Sequence, residues 1–510
     1  MAKTFVPVLV GVDIEIIEVE AFVGSGFSGL TILGLSGDVV RDMRERVRAV
    51  LEGCGAALPA RKIVVSFSPV THLKLSRTNL EELDFAVAAC VVKALDEEKE
   101  SRATAKKAQT REFFAGALSL SGGLRPVSRP LVLSALEFKE RQHGSGACFH
   151  VAAGTEIPLS GHFVFHQNFE SWMKNRSSMW VGSFDAASAP SGLGDDNEFS
   201  FERRLEKVYA VLDVFAENPK LLTAMLAAGA GGHNMLLAGE PGVGKSFAVK
   251  HLEKLLPPLS SDELFQVQLI ADEQGSHVFT WSRGRPFRAP HHSCTSAALV
   301  GGANLKPGEV TLAHHGVLFL DELAEFSRTS LEALREPLDA GKIVISRASG
   351  SVAFPALFQL CATTNPCPCG FLFSRKRSCR CSQGEISRYL SRLSGPLMDR
   401  FGIQVVVEPD VLELDSFSRS LQTELQNGGR NSVAERFVMV QIENRGRDCL
   451  RARDLSVLGE KAEVVSRRTD GHLEKLAGTL LALFPHAESP SWQDVSAFRV
   501  MEERFARIRS

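Results

Sequence analysis

The chain has 510 residues, of which 44% are hydrophobic and 23% charged, as in ordinary soluble globular proteins. Lys and Arg number 58 and Asp and Glu 60, so the net charge of −2 excludes a protein that coats nucleic acid through bulk positive charge. The first apolar stretch contains acids, and no apolar run reaches the roughly 18 residues of a membrane span. We therefore expect a cytoplasmic protein, and at about 150 residues per domain the length predicts roughly three domains.

The first 184 residues combine strand and helix patterns and predict an α+β domain. Residues 5–35 alternate apolar and polar positions between glycines, which predicts several short strands joined by tight turns. Three further elements are predicted downstream: an amphipathic helix over 41–51, a strand over 63–70 and a buried helix over 83–95. Residues 185–199 are mostly small or polar and contain Gly and Pro, so they predict a linker.

The pattern changes from residue 200 onward to strands separated by long helical stretches, which is typical of parallel α/β sheets. We predict an α/β domain over 200–410 and a mostly helical C-terminal domain over 411–510. The fold class expected for the whole chain is therefore α/β with an α+β domain in front.

A phosphate-binding loop is the strongest local motif. It matches G-x-x-x-x-G-K-[ST], follows the apolar segment 235–238 and precedes a helical pattern over 247–256. Backbone N–H groups of such a loop surround phosphate oxygens at a helix N-terminus. Lys245 is expected to reach the β- and γ-phosphates of ATP, and Ser246 to hold Mg²⁺. The motif residues are Gly239, Glu240, Pro241, Gly242, Val243, Gly244, Lys245 and Ser246.

Two more strand ends carry polar residues suited to the same chemistry. The apolar run 317–320 ends in Asp321, suited to Mg²⁺, and Glu322, suited to deprotonating the attacking water. A third strand, predicted over 358–362, leads to Asn365, which we expect to sense the γ-phosphate and hold that water. The carboxyl ends of parallel strands share one edge, so these side chains are expected to meet there.

The order of P-loop, acidic strand and sensor Asn, together with several linked motifs, resembles the magnesium-chelatase-like AAA+ ATPases of the ComM/YifB type. The linked motifs are Arg285-Pro-Phe-Arg-Ala-Pro-His-His292, Leu299-Val-Gly-Gly302, Pro307-Gly-Glu-Val310, Ala313-His-His-Gly316, Ile345-Ser-Arg347, Asn365-Pro-Cys-Pro-Cys-Gly370 and the stretch 388–400. The segments 44–48 and 122–126 also fit that family's Lon-like first domain. The first domain lacks the Gly-x-Ser-[Ala/Gly]-Gly nucleophile signature, so we expect no protease activity.

The resemblance implies an ATP-driven DNA-remodelling motor: a hexameric ring of subunits that acts as a helicase in branch migration during natural transformation. In such rings an arginine of one subunit completes the neighbour's ATP site. Arg400 matches the family's arginine-finger pattern, and Arg392 is the second candidate. The family's lid arginine is replaced in the stretch 455–458, with Arg451 and Arg453 just upstream, so its role stays unassigned.

Local cations are the candidates for DNA contact. Arg285 and Arg288 lie in an acid-free basic segment, and 341–354 predicts a β-hairpin with Arg347 near its turn. Hairpins of this kind grip the nucleic-acid backbone through cations. The alternative is that these arginines pair with the phosphates of ATP or with acids of a neighbouring subunit.

Four of the ten cysteines, Cys367, Cys369, Cys379 and Cys381, lie within 15 residues. Disulfides are disfavoured in the cytosol, so the cluster predicts a tetrahedral Zn²⁺ site, although C-x-C is tighter than the usual C-x-x-C spacing. Reduced thiols in a loop are the alternative. The other six cysteines are expected in the core.

Three functions remain open at this point. The first is the DNA-remodelling ATPase, the second a chelatase-type motor that works with partner subunits, and the third a nucleotide-gated DNA-binding scaffold. The expected cofactors are ATP and Mg²⁺, with Zn²⁺ as a possible addition, and the expected partner is single-stranded or branched DNA.

Overall fold

The fold was analysed in a computed structural model. It describes residues 2–10, 13–34, 37–56, 58–68, 77–99, 111–127, 129–142, 147–155, 157, 161–175, 200–273, 282–302, 306–347, 350–374, 376–408, 414–444, 470–488 and 490–499. The chain forms two compact units, one of residues 1–194 with segments 268–281 and 346–352, the other of the remaining residues. Among the described helices, none combines the length and apolar content that crossing a membrane requires.

The first unit contains nine strands and five helices within its described residues. The strands are β1 Ala2–Val10, β2 Asp13–Gly24, β3 Gly29–Leu33, β4 Lys62–Ser68, β5 Glu112–Ala115, β6 Ala117–Leu118, β7 Leu124–Arg125, β8 Cys148–Ala152 and β9 Phe163–His166. The helices are α1 Gly37–Gly53, α2 Arg77–Glu82, α3 Asp84–Lys99, α4 Pro130–Gln142 and α5 Phe169–Asn175. Seven strands form a mixed sheet in the order β3-β4-β2-β1-β5-β8-β9.

Successive side chains of a strand point to opposite faces of the sheet, so this unit has a hydrophobic core on each face. On one face Phe114 packs with α1 and α3, and on the other its neighbour Phe113 packs with α4. Helix α3 is buried nearly all round, as its sequence predicts, and α1 buries Met43, Val47 and Val50. The region 5–35 forms the long antiparallel pair β1 and β2 plus β3, rather than several short strands.

The second unit follows the α/β pattern predicted from residue 200. Its helices are α6 Phe201–Phe215, α7 Pro219–Gly231, α8 Lys245–Leu252, α9 Ser261–Glu273, α10 Ser296–Val300, α11 Glu309–Leu312, α12 Arg328–Ala333, α13 Arg335–Ala340, α14 Gln383–Leu390, α15 Gly395–Met398, α16 Ser416–Gln426, α17 Arg430–Asn444, α18 Asp470–Leu483 and α19 Trp492–Ser496. Its strands are β10 Met235–Gly239, β11 Phe287–Arg288, β12 Val317–Leu320, β13 Lys342–Arg347, β14 Gly350–Pro355, β15 Gln359–Thr364 and β16 Ile403–Val407. Three of these elements, α9, β13 and β14, belong to the second unit only in part, because segments 268–281 and 346–352 belong to the first.

Five of these strands form a parallel sheet in the order β11-β12-β15-β10-β16. Strands β10, β12, β15 and β16 are buried along their whole length, which explains the continuous apolar runs of β10 and β12. Since all five run in the same direction, the residues after β10, β12 and β15 emerge at one edge. Strands β13 and β14 pair separately as the predicted hairpin.

The C-terminal helices share one hydrophobic core with this sheet. Phe417, Phe437 and Leu480 from these helices pack in the same cluster as Leu237 of β10 and the residues of α7. Gln441 Nε2 also donates a hydrogen bond to the Gly229 carbonyl at 2.9 Å. The described parts of this region are helical, from α16 to α19, and the division of the chain into three domains stays a prediction. The predicted linker lies outside the described residues.

Candidate functional site

The P-loop connects the buried strand β10 to helix α8 in the order that phosphate binding requires. Gly244 is the N-cap of α8 with φ 87°, a left-handed conformation that favours glycine. The amino end of α8 therefore opens directly onto the loop. A Cβ atom at Gly239 would lie 2.5 Å from the Val407 carbonyl oxygen, so only glycine fits between β10 and β16.

Lys245 is the first residue of α8 and is only 8% exposed. Its ammonium donates to the carbonyls of Gly239 and Glu240, both at 2.7 Å, and to Asn365 Oδ1 at 3.2 Å. Burial lowers the Lys245 pKa to about 8, while Asp321, Glu322 and Glu240 act in the opposite direction. The lysine is thus a desolvated cation held between the P-loop and the end of β15.

Ser246 and Asp321 meet across the gap between α8 and β12. The Ser246 hydroxyl donates to Asp321 Oδ1 at 2.8 Å. The buried Thr363, on the neighbouring strand β15, donates a hydrogen bond to the same carboxylate oxygen. A hydroxyl and a carboxylate oxygen side by side form the ligand pair that Mg²⁺ takes in P-loop proteins.

Glu322 follows Asp321 in a left-handed conformation, with φ 56° and ψ 53°. This conformation is uncommon for a residue with a side chain, and such outliers cluster at functional sites. The Glu322 N–H donates to Thr363 Oγ1 at 3.2 Å, so Thr363 holds both acidic residues. The Glu322 side chain is 54% exposed, and its Oε2 lies 3.9 Å from His292 Nδ1. The carboxylate is therefore presented to solvent beside the lysine rather than buried.

Asn365 directly follows β15, which begins one residue later than predicted and ends two residues later, at Thr364. The strand register pairs Thr364 with Ala238 at the start of the P-loop, which brings Asn365 to Lys245. Tyr389 of α14 is hydrogen-bonded to the Thr364 side chain, and burial raises the Tyr389 pKa to about 12. Tyr389 is therefore a neutral phenol whose hydrogen bond to Thr364 stabilises the end of β15.

Arg400 lies at the opposite edge of the sheet, before β16 begins. Its backbone carbonyl accepts a hydrogen bond from Asn234, which precedes β10, and its guanidinium pairs with Asp339. Arg392 lies nearer the acidic strand end and donates to the Ala324 carbonyl at 2.8 Å. The two arginine-finger candidates thus lie at different edges of the sheet. Arg392 is near the acidic end of β12, whereas Arg400 is a full strand length from the P-loop of its own chain.

Two of the three candidate DNA arginines, Arg285 and Arg288, form ion pairs. Arg285 is mostly buried and donates to the carbonyls of Pro257 and His315, both at 2.6 Å, and to Glu263. Arg288 makes a bidentate pair with Glu309 at 2.8 and 2.9 Å.

The alternative expected the phosphates of ATP or the acids of a neighbouring subunit as partners, whereas both arginines pair with acids of their own chain. Arg347 is the last residue of β13, next to the hairpin turn, as predicted. It is therefore the DNA candidate of the three that we retain.

The four clustered cysteines converge after β15. Their Sγ atoms all lie within 4.8 Å of one another, and three of the separations are 3.4, 3.6 and 3.7 Å. All four are free thiols. Of the other cysteines, Cys90 and Cys361 are buried as predicted. Cys54, Cys148 and Cys294 are instead half-buried, and Cys449 lies outside the described residues.

The arrangement at this sheet edge fits ATP and Mg²⁺. A buried cation, a hydroxyl–carboxylate pair, an exposed carboxylate and an amide lie on three adjacent elements around the amino end of α8. The lid positions 451, 453 and 455–458 lie outside the described residues.

Three further residues lie at the site although none of them was predicted as a site residue: Thr363, His292 and Tyr389. Two of them had a detectable signal. Thr363 follows the apolar residues 360–362 near the end of β15, and His292 follows β11, the edge neighbour of the acidic strand β12. Tyr389 lies in the stretch 388–400, but the sequence gives no signal of its contact with Thr364, because that contact depends on how α14 packs.

Comparison with known proteins identifies the same parts of the chain. The family described as "Magnesium chelatase, subunit ChlI" matches residues 213–413, and "Subunit ChlI of Mg-chelatase" matches residues 19–145. An uncharacterized protein of Mycobacterium tuberculosis (strain H37Rv) is 34% identical over 79% of this chain and 76% of its own length. The uncharacterized protein YifB of Escherichia coli and the competence protein ComM of Haemophilus influenzae are each 33% identical over 78% of this chain and 74% of their own length. The chain therefore belongs to the ComM/YifB-type family of magnesium-chelatase-like proteins.

Proposed function

We propose that this chain is an ATP hydrolase that drives DNA remodelling as a ring of six identical subunits. The observation that carries the ATPase part is the meeting of Lys245, Asp321 and Asn365 at one sheet edge, with Ser246 and Glu322 beside them. The name of the ComM relative supports a role in competence. Within that role we propose helicase activity in branch migration.

The proposed reaction transfers the γ-phosphoryl group of ATP to water. A water oxygen bonds to the γ-phosphorus as the bond to the β–γ bridging oxygen breaks, giving ADP and inorganic phosphate. Glu322 takes the proton of the attacking water, and Asn365 holds that water in line. Lys245 neutralises charge on the β- and γ-phosphates. Mg²⁺, when bound at Ser246 and Asp321, stabilises the charge developing on the phosphate oxygens.

Two further parts of the proposal concern residues that act outside the ATP site of their own chain. Arg400 serves the site of the adjacent subunit, because it lies on the sheet edge opposite its own P-loop. Arg347 contacts the DNA backbone from the end of β13. Zn²⁺ at the four cysteines is the second metal of the proposal, separate from the Mg²⁺ of the reaction.

A chelatase-type motor working with partner subunits is the second candidate, because both matching families carry chelatase names. ATP turnover separates the two when measured with single-stranded DNA, with a branched junction and without DNA. We expect stimulation by DNA and strand displacement from the junction. DNA-independent turnover without displacement contradicts the DNA motor and favours the second candidate.

Glu322→Gln is the matched control for this experiment. It should bind ATP with near-normal affinity and hydrolyse it about 100-fold or more slowly, because only the proton acceptor is lost. Undiminished hydrolysis would remove Glu322 from its proposed role.

A further inference from the structure

The four-cysteine cluster lies against the ATP site, and its geometry matches a single tetrahedral ion. A zinc ion with Zn–S bonds of about 2.3 Å places its sulfurs about 3.8 Å apart. The separations from Cys367 to Cys369, from Cys369 to Cys379 and from Cys367 to Cys379 are 3.4, 3.6 and 3.7 Å. A disulfide needs about 2.05 Å, so the thiols are spaced for a shared metal rather than for a bond.

The segment that carries the thiols is irregular in conformation. Residues 365–382, between β15 and α14, contain no helix or strand in their described part. A connection of this length without secondary structure is uncommon in a compact domain and needs another source of order. A metal with four protein ligands supplies that order, because its binding free energy becomes folding free energy.

The charges around the cluster also suit bound Zn²⁺. Four thiolates and one Zn²⁺ ion carry a net charge of −2, once the four thiol protons have been released to solvent. Arg380 lies between two of the ligands in the chain, and the Arg377 guanidinium stacks 5.1 Å from the Phe371 ring in the same segment. The negative charge of the zinc–thiolate centre would thus be balanced by the arginines of this segment.

The cluster contacts the ATP site on two sides. Cys367 is two residues from Asn365, whose side chain accepts from Lys245 at 3.2 Å. The turn from Cys367 to Gly370 closes through a hydrogen bond from the Gly370 N–H to the Cys367 carbonyl at 2.9 Å. A Cβ atom at Gly370 would lie 2.6 Å from Pro241 Cδ, so this turn packs directly on the P-loop.

The geometry points to a Zn²⁺ ion at Cys367, Cys369, Cys379 and Cys381 that fixes the Cys367–Gly370 turn and so positions both Asn365 and the P-loop for nucleotide. Nucleotide affinity and turnover then depend on a metal that touches neither the phosphates nor the attacking water. The turnover part of this inference rests on the proposed ATPase function, whereas the metal and the nucleotide affinity do not.

The test compares the full-length chain with the double variant Cys379→Ser/Cys381→Ser, which removes the two ligands farthest in sequence from Asn365. The matched control is Cys54→Ser/Cys148→Ser, which removes two half-buried free thiols of the first unit. Zinc per chain is measured by elemental analysis, affinity with a fluorescent ATP analogue, and turnover by phosphate release. We expect about one zinc per chain in the wild type and in the control.

In the ligand variant we expect zinc to fall to a small fraction and turnover to fall about 100-fold, the loss that a displacement of about 1 Å can cause. Gly370→Ala keeps every thiol but adds a Cβ at a position with φ 82° against Pro241. It should retain zinc and lose nucleotide affinity. If the double variant fails to fold, zinc is instead removed from the wild type with a mercurial and restored with Zn²⁺ or Co²⁺.

The outcomes separate the claims. Absence of zinc from the wild type, together with no tetrahedral Co²⁺–thiolate spectrum on reloading, overturns the metal site. Loss of zinc with unchanged nucleotide affinity and turnover overturns the coupling, as does Gly370→Ala with unchanged affinity. A zinc-loaded wild type that binds nucleotide in a zinc-dependent manner but never hydrolyses it supports the site while contradicting the proposed ATPase.

Discussion

Lys245 Nζ and Asn365 Oδ1 lie 3.2 Å apart, although 119 residues separate them in the chain. The contact exists because β10 and β15 are neighbours in a parallel sheet and end in register, with Ala238 opposite Thr364. A cation that binds phosphate and an amide that can hold water therefore sit on two rigid strands. This relationship makes Asn365 the first residue to test.

Asn365→Ala should bind ATP within a few-fold of the wild-type affinity and hydrolyse it about 100-fold more slowly. The reason is that the alanine leaves Lys245 and the P-loop in place but removes the amide that orients the attacking water. Single-turnover hydrolysis and equilibrium binding of a fluorescent ATP analogue measure the two quantities separately.

Asn365→Asp is the informative control. It keeps the shape but puts a carboxylate beside both Lys245 and the γ-phosphate, so affinity should fall as well as turnover. Turnover at the wild-type rate in Asn365→Ala would remove Asn365 from the mechanism.

The pH dependence of nucleotide binding should report on Lys245. Its pKa is lowered to about 8 by burial, so the ammonium predominates below pH 8 and is lost above it. The attraction for phosphate is thus present below pH 8, and affinity for ATP should weaken above it by at most about tenfold per pH unit. Titrations with the ATP analogue between pH 7 and 9.5 measure this slope.

Lys245→Arg tests the assignment, because a guanidinium stays charged over this whole range. This variant should bind ATP more weakly at neutral pH, since the longer, forked side chain does not fit the lysine's position, but with a flat profile. Parallel profiles in the two proteins would assign the pH dependence to a different group.

The positions of the strand ends were predictable from sequence because a parallel sheet brings them to one edge. The apolar run before Asp321 and the predicted strand leading to Asn365 therefore indicated one shared edge, at which Lys245 and Asn365 meet. The P-loop was predictable for the same reason, since its glycines and Lys245 follow a strand and open a helix.

Contacts between elements distant in sequence were not predictable. The basic segment suggested that Arg285 faces a polyanion, but its partner Glu263 lies on α9 and meets it only through tertiary packing. The packing of Gly370 on Pro241 had no sequence signal either, because a glycine can occur in a cysteine-rich loop for many structural reasons. The shared core of β10 and the C-terminal helices likewise depends on packing, which helical periodicity does not specify.

DNA binding should depend on Arg347 more than on Arg288. Arg347→Ala removes a cation next to the hairpin turn, so it should weaken binding and lower the slope of log K against log salt by about 0.7 per lost contact with single-stranded DNA. Fluorescence anisotropy with a labelled oligonucleotide at several salt concentrations measures both.

Arg288→Ala is the matched control, since its guanidinium is already held by Glu309 in a bidentate pair. It should leave the salt slope near the wild-type value. An equal loss in both variants, or a loss confined to Arg288→Ala, would contradict the assignment of the DNA contact to the hairpin.

Mixed rings should show that Arg400 acts on the neighbouring subunit. Arg400→Ala and Lys245→Ala should each be nearly inactive alone, the first for lack of the finger and the second for lack of the phosphate-binding cation. In a random equal mixture, about a quarter of the interfaces join an intact P-loop to an intact Arg400, so turnover should recover to about that fraction. Recovery requires that the two variants exchange subunits before ATP is added.

Two controls complete this experiment. Asp339→Asn breaks the ion pair of Arg400 but keeps the arginine, so it should retain turnover if the pair is only a surface contact. Replacing Arg400→Ala by Arg392→Ala in the mixture tests the second candidate, which lies beside Glu325 near its own acidic strand end. Recovery with Arg392→Ala but none with Arg400→Ala would transfer the role to Arg392. Recovery in neither mixture would mean that both arginines act within their own chain, because a residue needed in cis cannot be supplied by a neighbour.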